Sequence, residues 1–357
     1  MPANVNVRMN AEQSYSIKIR RGIIERLGIE ILRLCDDSYA EILLITDEKV
    51  SGLYLQQVIM NFQECPKPKG MRLRICEILI DSREASKNFQ TVAKLLDDMA
   101  ALGLSGKCIV VALGGGVVCD AAGFAAGCYM GGVRLVLVPT TLSAMIEVSA
   151  WGNALLNLSA GKNLAGMSCR PSVVICDTDC LKTLSHEEYK SGIAETLKTA
   201  IMSGEELFRI FERGDVQNNI ERIIEGCIKY RANLKSELRT KCLGYSLGNA
   251  IESLSGYEIQ HGFALSQGIA ITAGISAEMG WCSKETASRI INTLSKNELP
   301  VTCRKYSAHL ISQTLLQGRK ISDGIFELAA ISEIGKCCIM NIKAGELEDI
   351  ISAGINA

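Results

Sequence analysis

The chain has 357 residues, of which 48% are hydrophobic, and its 38 basic and 39 acidic side chains leave a formal net charge of −1. That balance gives no basic excess for a nucleic-acid partner, and apolar runs that are short and interrupted exclude a membrane span, so a small-molecule ligand is expected. Fifteen cysteines, odd in number and scattered, with an N-terminal MPANVNVRMN that lacks an apolar core, point to reduced thiols in a cytoplasmic protein rather than a secreted disulfide framework.

In chain order, strands are expected near Ser16–Ile19, Glu41–Thr46, Arg72–Ile80, Cys108–Leu113, Arg134–Val138 and Ser172–Cys176, with amphipathic helices such as Phe89–Leu102 between them. Strand and helix in this rhythm predict a Rossmann-like, largely parallel sheet covered on both faces. After Asp177 the pattern turns to long helical periodicity, as in Glu187–Met202, Glu221–Lys235 and Glu285–Ser295. An α/β domain over 1–178 and an α-helical domain over 179–357 are therefore expected. Ser185, followed three residues later by Glu188, fits a capping box at the start of the helix that carries Glu195.

The most informative stretch is Cys108–Gly127, CIVVALGGGVVCDAAGFAAG. An apolar strand runs into Gly114, Gly115 and Gly116 and then into a helix of small residues. Three residues without a Cβ let the backbone turn sharply and let a phosphate approach main-chain N–H groups, while the positive end of the helix dipole favours the anion. A GGG turn is by itself also compatible with an ordinary tight turn. No G-x-S-x-G, HExxH, Walker or EF-hand pattern occurs, and without a CxxC pair no zinc knuckle is expected.

Together with PTTLSA at Pro139–Ala144, GKNLAG at Gly161–Gly166, IAETLK at Ile193–Lys198 and the GYSLGNAIE…HG series at Gly244–Gly262, that stretch resembles the 3-dehydroquinate synthase family of NAD-dependent sugar-phosphate cyclases. The resemblance spans nearly the whole chain in the right order. It implies a dehydroquinate synthase-like fold in which the domain over 1–178 binds NAD and the helical domain over 179–357 takes metal and substrate, a homodimer, one divalent metal (zinc or cobalt), and a phosphorus–oxygen lyase reaction of the shikimate pathway. In that reaction a heptulosonate phosphate is transiently oxidised, loses phosphate and closes to a carbocycle. Carried over by position, the cofactor residues are Asp47, Glu84, Lys87, Gly114, Gly115, Gly116, Asp120, Thr140 and Thr141. Those implied on the catalytic side are Lys162, Asn163, Lys198, Glu147, Asn249 and Arg239.

The metal positions implied by the family are Glu195, Tyr245 and His261, and at Tyr245 the family has a histidine. A phenol with an ordinary pKa of about 10 must lose its proton before it ligates well. Four residues on, and so on the same helix face, Asn249 replaces a second family histidine. Gly131 stands for the family's phosphate-clamping arginine, Asn153 for a lysine, Phe263 for a glutamate, and Glu147 for an aspartate. The nucleotide half therefore follows the family while the metal and anion contacts depart from it.

Three functions are weighed. The first is a divergent NAD-dependent cyclase acting on a sugar-phosphate-like or polyol substrate, with the ordinary dehydroquinate activity in doubt. The second is a non-catalytic NAD-binding partner of an active paralogue, in a heterodimer. The third is an NAD-dependent metal alcohol dehydrogenase, against which three histidines weigh.

Overall fold

Seven strands build the sheet of the N-terminal unit, in the order β1-β2-β9-β6-β5-β3-β4. They are β1 (Ala3–Asn10), β2 (Gln13–Ile19), β3 (Tyr39–Thr46), β4 (Arg72–Leu79), β5 (Ile109–Gly114), β6 (Arg134–Pro139) and β9 (Val173–Cys176), while β7 (Asn153–Leu158) and β8 (Gly161–Ser168) form a separate hairpin. The structure is a computed structural model describing residues 3–10, 13–35, 39–159, 161–234, 242–317 and 324–356. It divides into two units, Met1–Leu184 and Ser185–Ala357.

Continuous apolar sequence sets the middle of the sheet. The strands IVVALG, RLVLVP and VVIC are buried along nearly their whole length, as expected where helices cover both faces of a parallel sheet. At the edge, β4 (RLRICEIL) is largely exposed or half-buried, and its charged side chains blunt the open edge. Arg74 on β4 lies opposite Glu41 on β3 in register and bonds it at 2.9 Å. Only β1 and β2 pair antiparallel within this sheet; the other pairings are parallel. The strand order reverses between β3 and β5, and an open α/β sheet takes its ligand outside the carboxyl ends of the strands at such a reversal.

The six expected strands and the Phe89–Ala101 helix are present within a residue or a few. The β7–β8 hairpin and β1 were not anticipated.

In the second unit the expected helices run His186–Ser203, Ile220–Ala232 and Lys284–Lys296, around a His261–Glu278 helix buried on nearly all sides from Ala264 to Ser276. The capping box is formed: the Ser185 hydroxyl accepts the Glu188 N–H at 3.2 Å and the Glu188 carboxylate accepts the Ser185 N–H at 2.9 Å. One element differs from the helical expectation. An antiparallel hairpin of β10 (Ile325–Glu333) and β11 (Lys336–Lys343) drives Phe326, Leu328 and Ala330 into the helical core beside Ile271, Ile275 and Ile351. All fifteen cysteines are free thiols. Among the described residues no helix is long and apolar enough to cross a membrane.

Candidate functional site

The residues expected around a nucleotide lie beyond the carboxyl ends of β3, β4, β5 and β6. Asp47, directly after β3, caps a short helix by accepting the Val50 N–H at 3.0 Å. With Lys49, Ile80, Asp81 and Arg83 it lines a cavity of about 820 Å³. Gly114 ends β5 and Gly115 stands at the N-cap of the Gly116–Cys128 helix, with no side chain capping it. A Cβ on Gly114 would meet Val118 at 2.8 Å, whereas one on Gly116 would meet nothing within 4 Å. Gly114 is thus required by packing, and the space where a side chain at Gly116 would stand is open. Thr140 N–H donates to the Gly114 carbonyl at 2.9 Å, and the Thr141 hydroxyl caps the next helix by accepting the Ala144 N–H at 3.2 Å.

The turn after β4 is tied to the β7–β8 hairpin. Lys87, 7% exposed, places its ammonium 2.5 Å from Asp120 Oδ2 and donates to Asn163 Oδ1 at 2.7 Å. Asp120 Oδ1 accepts the Leu155 N–H at 3.1 Å. Burial raises the Asp120 carboxyl above the usual range, although Lys87 and the Leu155 N–H pull the other way. Asn163 sits in the left-handed region at φ 58°. Asn157 donates to Glu84 Oε1 at 2.8 Å and to the Glu84 carbonyl at 3.1 Å, and accepts the Asn163 N–H at 2.9 Å. Glu84, Lys87, Asp120 and Asn163 are therefore one connected group. Lys162 is half-buried on β8 beside it, and Glu147 is half-buried between two short helices.

In the second unit a chain of charged groups crosses three helices. Lys198 Nζ donates to Glu195 Oε2 at 2.5 Å, and His261 joins Glu195 Oε1 through Nε2 at 3.0 Å and Glu252 Oε2 through Nδ1 at 2.9 Å. Glu195 and Lys198, which an exposed i,i+3 pair would have placed in water, are 3% and 1% exposed. Burial alone would raise the Glu195 carboxyl; Lys198 and His261 outweigh it and hold it well below the usual range. Burial likewise pulls the His261 imidazole down, but its bonds to Glu195 and Glu252 push it up to about 9. At neutral pH the ring therefore carries both protons and donates to both carboxylates. The Tyr245 ring meets the His261 ring edge-on, centroids 5.6 Å apart at 67°, with Lys198 Nζ 5.5 Å from the Tyr245 centroid.

Asn249 is half-buried one turn after Tyr245 on the same helix. Arg239 falls outside the described residues. His186 and His309 make surface pairs with Glu298 at 3.4 Å and Glu348 at 2.8 Å, so neither joins a site. Two members were missed from sequence: Glu252, whose place seven residues after Tyr245 already put it on the same helix face, and Asn157, which no local signal marked.

The residues 77–191 match the family model described as 3-dehydroquinate synthase N-terminal, and 192–321 match the one described as 3-dehydroquinate synthase C-terminal. The chain belongs to the 3-dehydroquinate synthase family. The 3-dehydroquinate synthase of Pelobacter propionicus is 32% identical over 350 residues, covering 94% of this chain and 95% of the relative. That of Prochlorococcus marinus strain AS9601 is 31% identical over 340 residues, covering 91% and 92%. A 2-deoxy-scyllo-inosose synthase solved with carbaglucose-6-phosphate, NAD+ and Co2+ shares the fold at a TM-score of 0.83 and 22% identity, covering 98% of this chain and 99% of that one. A 2-epi-5-epi-valiolone synthase from Streptomyces hygroscopicus subsp. jinggangensis 5008, solved with NAD+ and Zn2+, does so at 0.80 and 23%, with the same coverage.

The two kinds of cofactor in those solved structures, NAD+ and a divalent metal, fare differently against the residues present. A helix N-terminus with no side chain capping it, behind a glycine turn with room on the Cβ side of Gly116, and a carboxylate at Glu84 fit a dinucleotide. The metal does not fit. Among the described residues no group of three or more His, Cys, Asp or Glu side chains is arranged to hold an ion. His261 stands between its two carboxylates rather than beside them, and Tyr245, the third ligand position expected from the resemblance, presents a phenol.

Proposed function

We propose that the chain is an NAD-dependent lyase and cyclase of the 3-dehydroquinate synthase type that takes a sugar-phosphate-like substrate less anionic than the usual heptulosonate phosphate, the phosphate being its leaving group. The observation that carries this reading is the connected group Glu84–Asn157–Asn163–Lys87–Asp120, which gathers the expected nucleotide contacts where the strand order reverses. NAD bound there would supply the hydride acceptor, while Glu84 offers acceptors for ribose hydroxyls and Lys87 a donor held at a fixed height by Asp120.

The substrate half supports a changed specificity. Gly131 is exposed, with φ 84° and nothing within 4 Å of a Cβ built on it, so a guanidinium clamp is missing there, and Asn153 carries no charge. Each lost charged hydrogen bond to an anion is worth about 1.5–3 kcal/mol, so these two changes weaken a phosphate substrate by roughly two to four decades. A homodimer is the assembly the family suggests. The non-catalytic reading, in which this chain binds NAD and completes an active paralogue's site in a heterodimer, rests on the same losses at Gly131, Tyr245 and Asn249.

Calorimetry with NAD, followed by phosphate release from the heptulosonate phosphate with and without added Zn2+ or Co2+, tests the proposal. NAD binding with phosphate release slower by decades is expected. No NAD binding overturns the reading as a whole, and fast phosphate release overturns its substrate half. NAD binding without turnover on phosphorylated or plain polyols selects the non-catalytic reading.

A further inference from the structure

We propose that Tyr245 excludes divalent metal ions from the position beside Glu195 and His261, and that this chain stands one substitution short of a metal site. Three observations carry the inference, and none depends on whether NAD binds.

The first is the direction of the donors. Glu195 and Glu252 bond the Nε2 and Nδ1 atoms of one ring, at 3.0 and 2.9 Å. Carboxylates on opposite nitrogens of an imidazole cannot converge on one ion. Among the described residues, an ion at Nε2 would have Glu195 and His261 as its only ready protein ligands, and protein sites that hold zinc use at least three.

The second is what fills the third position. The aromatic ring of Tyr245 lies edge-on against His261 and beside the Lys198 ammonium. A neutral phenol is a weak donor to a hard or borderline cation, and ionising it for the purpose costs free energy that an imidazole does not require.

The third observation is that the supporting half of a metal site is already built. A metal-binding histidine ordinarily donates its other ring N–H to a carboxylate, which fixes the ring's orientation and makes it a better ligand. Glu252 does this for His261. Position 245 is half-buried at the start of the Tyr245–Leu254 helix, and histidine is smaller than tyrosine, so an imidazole there needs no repacking of the core. Tyr245→His then adds a second imidazole to Glu195 and His261, completing a set of three donors with an orienting carboxylate behind it.

The test uses the full-length protein, stripped with chelator and titrated with Co2+, whose visible bands report ligand number and geometry. Wild type is expected to take up no stoichiometric cobalt in the micromolar range. Tyr245→His is expected to bind about one ion per chain with affinity raised ~100-fold or more, and Glu195→Gln added to it to return the affinity to the wild-type level. Stoichiometric, tight cobalt in the wild type overturns the proposal. So does a Tyr245→His protein with a wild-type circular dichroism melt and no gain in affinity, or a gain that survives Glu195→Gln. If the histidine variant fails to fold, Tyr245→Asp supplies a third ligand from a smaller side chain and is held to the same outcomes.

Discussion

Asn157 holds Glu84 at two points, donating through its side-chain amide at 2.8 Å to the carboxylate and at 3.1 Å to the backbone carbonyl, while its side-chain Oδ1 accepts the Asn163 N–H at 2.9 Å. One carboxamide thus sets both Glu84, the acid proposed to meet the ribose, and the left-handed turn at Asn163. Asn157→Ala is expected to weaken NAD affinity about 10-fold, the loss of roughly one or two hydrogen bonds' worth of positioning. Its melting temperature should move little, because Asn157 is half-buried on a hairpin outside the main sheet. Calorimetry on variant and wild type checks this: equal affinities would show that Glu84 needs no such support.

What sequence could and could not reveal follows from burial. Strands β3, β5, β6 and β9 were legible because both faces are buried and each is a continuous apolar run. The β7–β8 hairpin reads NALLNL and GKNLAGMS, with glycine and asparagine at positions that a strand reading treats as breaks, and it pairs only with itself. Asn157 was hidden with it. In the second unit the pairing of Glu195 with His261 depends on two helices packing together. The residue types were visible, but the bond from Glu252 to the far nitrogen of that ring requires the chain to turn back between Ser255 and Gln260, which helical periodicity does not encode.

The buried pair Lys87–Asp120, 2.5 Å apart, should respond asymmetrically to substitution. Lys87→Met leaves a carboxylate buried with only the Leu155 N–H, and removing one partner of a buried pair costs about 3–5 kcal/mol. Replacing both, as Lys87→Met with Asp120→Leu, is expected to recover much of that stability while abolishing NAD binding, since Asn163 loses its donor as well. Urea unfolding of the two proteins decides it. A double variant as unstable as the single one would mean that the pair's value lies in its other hydrogen bonds.

Glu41 gives an acid-side prediction. Burial raises its carboxyl, but the Ser105 N–H and hydroxyl and the Arg74 guanidinium outweigh it and hold the pKa below the usual range. A folded pKa below the unfolded one contributes stability that is complete above about pH 4.5 and is lost as pH falls through the folded pKa. Glu41→Gln is therefore expected to cost about 1–2 kcal/mol at pH 7, with Arg74 partly exposed and its contribution discounted. The gap between variant and wild type should close as unfolding is measured at successively lower pH below 4.5. A gap that stays constant with pH would assign the loss to packing instead of charge.

Gly262 tests whether helix packing sets the geometry of His261. A Cβ there would lie 2.4 Å from both the Ser191 Cα and the Ser191 carbonyl oxygen, and its N–H donates to the Ser191 hydroxyl at 3.0 Å. Backbone cannot yield to a contact that short, so Gly262→Ala must push the start of the His261–Glu278 helix off the His186–Ser203 helix and draw His261 away from Glu195. A destabilisation of about 1–3 kcal/mol is expected from overpacking. The more specific consequence is electrostatic: with the Glu195 bond stretched, the His261 ring should titrate below its native value of about 9, moving toward the ordinary histidine range near 6.5. Proton NMR of the imidazole resonances reads this directly. Gly256→Ala serves as the control, because its Cβ would meet nothing within 4 Å and only its φ of +64° is unfavourable, so it should cost stability without moving the His261 titration. If both variants lower that titration equally, general loosening explains the effect; if only Gly262→Ala does, the close approach at Ser191 is what holds the imidazole between its two carboxylates.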